Sequence, residues 1–285
     1  MMKKNFEFAA GLFLAVVLTA LPALAGEGSP AASQPSVDKI VDRANYVSYY
    51  QGADGRAQVK MTITDAQGRT REREFVILRW DGPEPESALD RKDQTYTGNQ
   101  KMYVYFQRPA DVNKMVFMVY KNLEKDDDRW LYMPALDLVK RIAASDKRTS
   151  FVGSHFLYED VSGRHIDEDT HELLEVSDNY YVLKNTPNDP ASVEFAYYRM
   201  WIHKTTFLVV KTVYYDAKDV AYRTYTAEAV ETIDGFPTVV KSSMADEKIG
   251  GKTVMEYTSV KYNANIPEDV FTERFLKRPP FEYLK

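Results

Sequence analysis

Residues 101–120 read KMYVYFQRPADVNKMVFMVY, and this stretch decides between a helical and a sheet protein. Met102, Val104 and Phe106 alternate with Tyr103 and Tyr105, so a strand over 101–107 sends apolar groups to both of its faces. Residues 115–120 are apolar throughout, which gives a second strand over 114–120 the same two-sided character. A sheet covered on both faces, with helices on one side, explains this. A sheet with one face lining an apolar cavity would give the same pattern, but on periodicity alone an ordinary two-layer core is the favoured reading.

Working outward, the period of two continues. Val59, Met61 and Ile63 alternate with polar residues, and the turn Asp65-Ala66-Gln67-Gly68 leads into a strand over 73–80, as in a hairpin. Further strands are expected over 130–133, 138–142, 172–177, 180–185, 193–203, 207–215, 220–232, 238–246 and 253–262. Short strands joined by short polar turns favour an antiparallel meander over parallel βαβ units. One helix precedes them: Val37, Ile40, Val41, Ala44 and Val47 fall on one helical face, with Ser36 as N-cap and Asp38 in the first turn, and Gly52 and Gly55 close it. The fold class is α+β, mainly β, with a single large antiparallel sheet.

The N-terminus is read as an address. Lys3 and Lys4 precede an apolar run over 9–21, and Ala23-Leu24-Ala25 is a small-x-small cleavage site, so residues 1–25 are expected to be a signal peptide cleaved after Ala25. Residues 26–36, rich in Gly, Pro, Ser and Ala, are a flexible leader, and 37–285 form one domain. In a bacterium, export makes it a periplasmic or secreted protein, and the periplasm is the expected location.

Composition removes whole classes of chemistry. The absence of cysteine excludes disulfides, thiolate metal sites, a thiol nucleophile and a lipidated cysteine. A formal charge of -5 argues against a nucleic-acid partner, which requires clustered basic residues. His155, His165 and His171 stand near Glu159, Asp160, Asp167 and Asp169 but match no established ligand spacing, and Asp126 to Asp128 read as a hairpin tip. Ser154 beside His155 lacks the glycines of a nucleophile elbow. No catalytic residue, metal or cofactor is expected, and neither is an enzyme.

Three segments carry a resemblance. They are 104–112 (VYFQRPADV), 129–142 (RWLYMPALDLVKRI) and 150–160 (SFVGSHFLYED), and the ending from Ile266 to Leu276 adds to them. Together they are similar to the extended, LolA-like branch of the outer-membrane lipoprotein-sorting protein family. The resemblance implies a curved, half-open β-barrel closed by a few helices, around an apolar cavity that carries acyl chains of a lipid or lipoprotein. It implies only transient membrane contact, with an inner-membrane RND-type exporter or an outer-membrane acceptor as partners. An adaptor subunit of an export complex that binds no lipid is the alternative, and a lipid-modifying hydrolase a more distant one.

Candidate lining residues are Val59, Met61 and Ile63 on the first strand, Val76, Leu78 and Trp80 on the second, Met102, Val104 and Phe106 on the third, and Val116 and Met118 on the fourth. Each is equally consistent with plain core packing. Between Gly153 and Gly163, and just before them, the apolar residues Phe151, Phe156, Leu157 and Tyr158 form a candidate lid over the cavity or a fixed plug in its end.

Overall fold

The computed structural model describes residues 34–82, 98–123 and 125–285. The expected signal peptide, its cleavage site and the expected leader up to residue 33 lie outside the described residues. Helix α1, Val37–Tyr49, begins where the Ser36 side chain accepts a hydrogen bond from the Lys39 backbone N–H at 3.3 Å, and it buries Ile40, Val41 and Ala44.

Thirteen strands follow: β1 Asp54–Asp65, β2 Thr70–Asp81, β3 Gln100–Arg108, β4 Val116–Lys121, β5 Asp128–Met133, β6 Leu138–Ile142, β7 Asp169–Val176, β8 Tyr180–Pro187, β9 Tyr197–His203, β10 Val209–Tyr215, β11 Ala221–Ile233, β12 Phe236–Asp246 and β13 Gly251–Tyr262. They make one antiparallel sheet in the order β6-β5-β4-β3-β2-β1-β13-β12-β11-β10-β9-β8-β7. The chain meanders from the centre to one edge, crosses to the far edge, and meanders back until β13 pairs with β1. The sheet stays open. Its edges, β6 and β7, carry exposed Lys140, Arg141, Glu172 and Glu175, which discourage pairing with another chain.

Both faces of β2 to β5 are covered, which explains their two-sided hydrophobicity. The register places Val59, Phe75 and Phe106 on one face, the inner one, with Ile77, Val104 and Phe117 beside them. The crossing segment 143–168, which holds the short helix α2 (Tyr158–Ser162), packs there. Phe151 is fully buried, its ring centroid 6.1 Å from Phe75, 5.8 Å from Phe106 and 5.7 Å from Phe117.

The outer face is covered by the tail after β13, which contains α3 (Arg274–Lys277). Ile266, Val270, Phe271, Leu276 and Leu284 bury themselves against Val76, Leu78, Tyr103, Tyr105, Val116, Met118 and Trp130. Each such side chain contributes about 1.5–3 kcal/mol. Tyr103 donates to the Phe275 carbonyl at 2.7 Å and Tyr120 to that of Phe271, which fixes the tail's register.

Helix α1 covers the inner face at the other end of the sheet, where Ile40, Val41 and Ala44 meet Tyr181, Leu183, Ile202 and Phe207. Its C-terminus is tied to β2 and β3. Arg79 donates to the carbonyl oxygens of Tyr49 (2.9 Å), Gly52 (2.9 Å) and Gln51, and Gln100 donates to that of Tyr49 at 2.7 Å. A guanidinium fork suits the unpaired carbonyls and negative dipole end of a helix.

Candidate functional site

Because α1 and the crossing segment cover different parts of the inner face, a gap remains between them. It is a cavity of about 380 Å³, within the range of small-molecule sites. Val41, Ala44 and Val47 of α1 form one wall; Phe75, Ile77 and Met102 of the sheet, together with Met244 and Met255, form another. Phe156 and Val161 of the crossing segment close the end. A bulge in β13, with Ser259 at φ +50°, re-aims that strand, so that Met255 and Tyr257 before it and Tyr262 after it all line the same cavity.

The candidate lining residues divide between the two faces. Val59, Met61, Ile63, Met102, Val104 and Phe106 lie on the inner face, but all except Met102 pack against the crossing segment rather than along the open space. Val76, Leu78, Val116 and Met118 are on the outer face under the tail, with Trp80 packed at the margin of the same cluster. On β2 the inner residues are instead Phe75, Ile77 and Arg79, and on β4 Phe117 and Val119. Sequence reading did not single out α1 or the tyrosines of the second half of the sheet. Tyr198, Tyr214, Tyr225 and Tyr257, which line the cavity from β9, β10, β11 and β13, were the available signal.

In the candidate lid, Phe151, Phe156 and Tyr158 are buried and Leu157 half-buried, so the structure holds it in the plugged arrangement. Buried ion pairs lock it there. The Glu159 carboxylate, 2% exposed, meets Lys147 at 3.1 Å, Arg148 at 2.6 Å and Arg164 at 3.3 Å. Burial pushes this carboxyl up, but Arg148, Arg164 and Lys147 overcome it and hold it at about 2. Arg223 of β11 reaches across to Asp160, and Arg148 to Glu194 at 2.5 Å.

At the junction of plug and helix, Gly163 (φ +81°) lies so close to α1 that a Cβ there would stand 3.0 Å from Tyr49 Cζ. On the same side Lys121 donates to the carbonyls of Ser162 (3.1 Å) and Gly163 (2.8 Å), and burial lowers its ammonium to about 8.

The polar groups weighed for catalysis or metal binding are spent on structure. His155 contacts the Thr253 hydroxyl at 2.8 Å and the Gly250 carbonyl at 3.1 Å, while Ser154 donates to the Phe156 carbonyl at 3.2 Å. His165 pairs with Asp127 at 2.9 Å, and His171 sits between the Asn185 side chain and the Ile166 carbonyl. Asp126 and Asp127 occupy the β4–β5 turn and Asp128 opens β5, yet Asp127 is buried and also binds Arg129 at 2.7 Å. Among the described residues no group of three or more His, Asp or Glu is placed to hold a metal ion, and no helix is long and apolar enough to cross a membrane.

A family model described as uncharacterized-protein-like matches residues 98–278. No curated protein matches the sequence significantly. Among solved structures, a DUF1329 family protein from Desulfovibrio piger ATCC 29098 is 27% identical with a TM-score of 0.71, over 84% of this chain and 98% of that one. A domain provisionally assigned as an outer membrane lipoprotein-sorting protein, from Vibrio parahaemolyticus, gives 24% and 0.72 over 84% and 97%. A LolA superfamily protein from Nitrosomonas europaea gives 18% and 0.62 over 85% and 100%. The fold is therefore LolA-like, as the resemblance of segments 104–112, 129–142 and 150–160 implied.

Proposed function

The chain belongs to the uncharacterized-protein-like family whose model spans residues 98–278, and from that premise we propose that it is a periplasmic carrier which shelters acyl chains of a lipid or lipoprotein on their way to the outer membrane. The observation that supports this reading most directly is the cavity of about 380 Å³ between α1 and the inner face, walled by aliphatic, Met and aromatic side chains. Apolar surface withdrawn from water contributes about 25 cal/mol per Å², enough to solubilise a chain without covalent chemistry. Met102, Met244 and Met255 suit such a task because their unbranched side chains adapt to chains of different shape. The LolA-like fold of its structural neighbours agrees with a carrier. On this reading an RND-type exporter in the inner membrane would be the donor, or an outer-membrane protein the acceptor.

The test is native mass spectrometry of the protein purified from its own envelope. A bound lipid mass is expected, and it should be lost in Ala44→Phe, which fills the cavity from α1. A ligand-free mass in the native protein, together with failure to take up a neutral fluorescent probe, would sink the proposal in favour of an adaptor.

A further inference from the structure

Two hydroxyls in this cavity have no hydrogen-bond partner among the described residues. Tyr49, at the end of α1, and Tyr214, on β10, both line it, and among the described residues neither phenol oxygen makes a hydrogen bond. The neighbouring tyrosines differ. Tyr198 donates to Asp169 at 2.7 Å, Tyr262 shares a bond with Thr238 at 2.9 Å, and Tyr257 donates to the Met255 sulfur at 3.3 Å.

The charges around these two phenols are already satisfied. Asp160 lines the same cavity and pairs with Arg223, whose guanidinium lies 5.0 Å from the Tyr214 ring centroid, and burial raises both phenols above their ordinary value, Tyr214 to about 12. Arg223 is committed to Asp160 and to the His155 carbonyl. Arg164 is spent on Asp169, Glu159 and Glu168. Lys121 is spent on the Ser162 and Gly163 carbonyls. What this end of the cavity still offers is two O–H donors beside a carboxylate. An acceptor without charge completes them, whereas a carboxylate or phosphate seated on these two hydroxyls would meet Asp160, and the neighbouring cations among the described residues, Arg223, Arg164 and Lys121, are already committed.

Resting on the carrier reading, we propose that the cargo bears an uncharged hydrogen-bonding group of the ester, amide or ketone class, seated on the Tyr49 and Tyr214 hydroxyls, and that a free anionic headgroup is excluded from this position. The cargo's chain lies in the apolar remainder of the cavity. An acyl chain therefore enters as its ester or amide and not as a free fatty acid.

Displacement of the neutral dye N-phenyl-1-naphthylamine by methyl laurate and by laurate, at pH 8 on the full exported chain, tests this. Methyl laurate should compete at least tenfold better. The double variant Tyr49→Phe/Tyr214→Phe should weaken methyl laurate by about tenfold and leave laurate within about twofold, as expected for two lost neutral hydrogen bonds. Because neither hydroxyl serves the fold, the thermal midpoint of the variant should match or exceed that of the parent. Equal competition by laurate, a preference that survives the double substitution, or a variant several degrees less stable would each overturn the assignment. Displacement by neither compound would remove the carrier reading as well, which separates the two failures.

Discussion

Replacing Glu159 by Gln isolates the ionic lock that holds the plug. The carboxylate is 2% exposed and touches Lys147, Arg148 and Arg164 within 3.3 Å, so its ionised form is stabilised more in the folded protein than in the unfolded chain. Its folded value of about 2 lies below the ordinary 4.5. A depressed carboxylate contributes stability that is full above 4.5 and disappears as pH falls towards 2. The difference corresponds to about 3 kcal/mol at neutral pH. For a domain of this size that is a fall in Tm of about 6–12 °C. Urea unfolding of parent and variant, followed by tryptophan fluorescence at pH 7 and at pH 2.5, reads the gap directly, and the remaining carboxylates titrate in both proteins and largely cancel. The gap should shrink to under about 1 kcal/mol at pH 2.5. A gap that is the same at both pH values, or absent at pH 7, would refute the argument that charge pairing holds Glu159 in place.

Further outcomes follow from the packing. Phe151→Ala, at the centre of four aromatic contacts, should cost about 3–5 kcal/mol in denaturant unfolding. Gly163→Ala, at φ +81° and against Tyr49, should cost about 1–3 kcal/mol, and a smaller loss would mean that α1 yields easily. Arg79→Lys should destabilise the C-terminus of α1, because the bonds leave two separate nitrogens of a planar fork, and the single nitrogen of an ammonium cannot span the same three carbonyls; faster hydrogen exchange confined to residues 45–52 is the expected signature. If the crossing segment opens to admit cargo, amides of residues 151–164 should exchange faster than β1 to β4 in the empty protein and slow when methyl laurate is bound. Equal, strand-like protection in both states would leave it a fixed plug and α1 the moving part.

Most strands were legible because alternation survives in them, including the half from β7 to β13, while β4 was legible as a continuous apolar run. Which face is inner was not, and β2 shows why. Arg71, Arg73 and Arg79 share a face with Phe75 and Ile77, so that face reads as the wetter one beside Val76, Leu78 and Trp80. The structure reverses this. Arg79 turns inward to cap α1, Arg73 is buried, and the apolar alternative goes outward beneath Phe271 and Leu276, from a tail whose Pro and charged residues conceal its greasy positions. Glu159, Asp160 and Asp127 likewise read as solvated acids. Glu159 and Asp127 are buried and Asp160 half-buried because Arg148, Arg129 and Arg223 reach them, and the pairing of Asp160 with Arg223 spans 63 residues. Local pattern reports whether a side chain is apolar, whereas a long-range partner decides whether a charged one is buried. The cavity lies where these two kinds of information meet: its floor is ordinary alternation, and its polar end consists of charges satisfied from a distance, with two tyrosine hydroxyls left over.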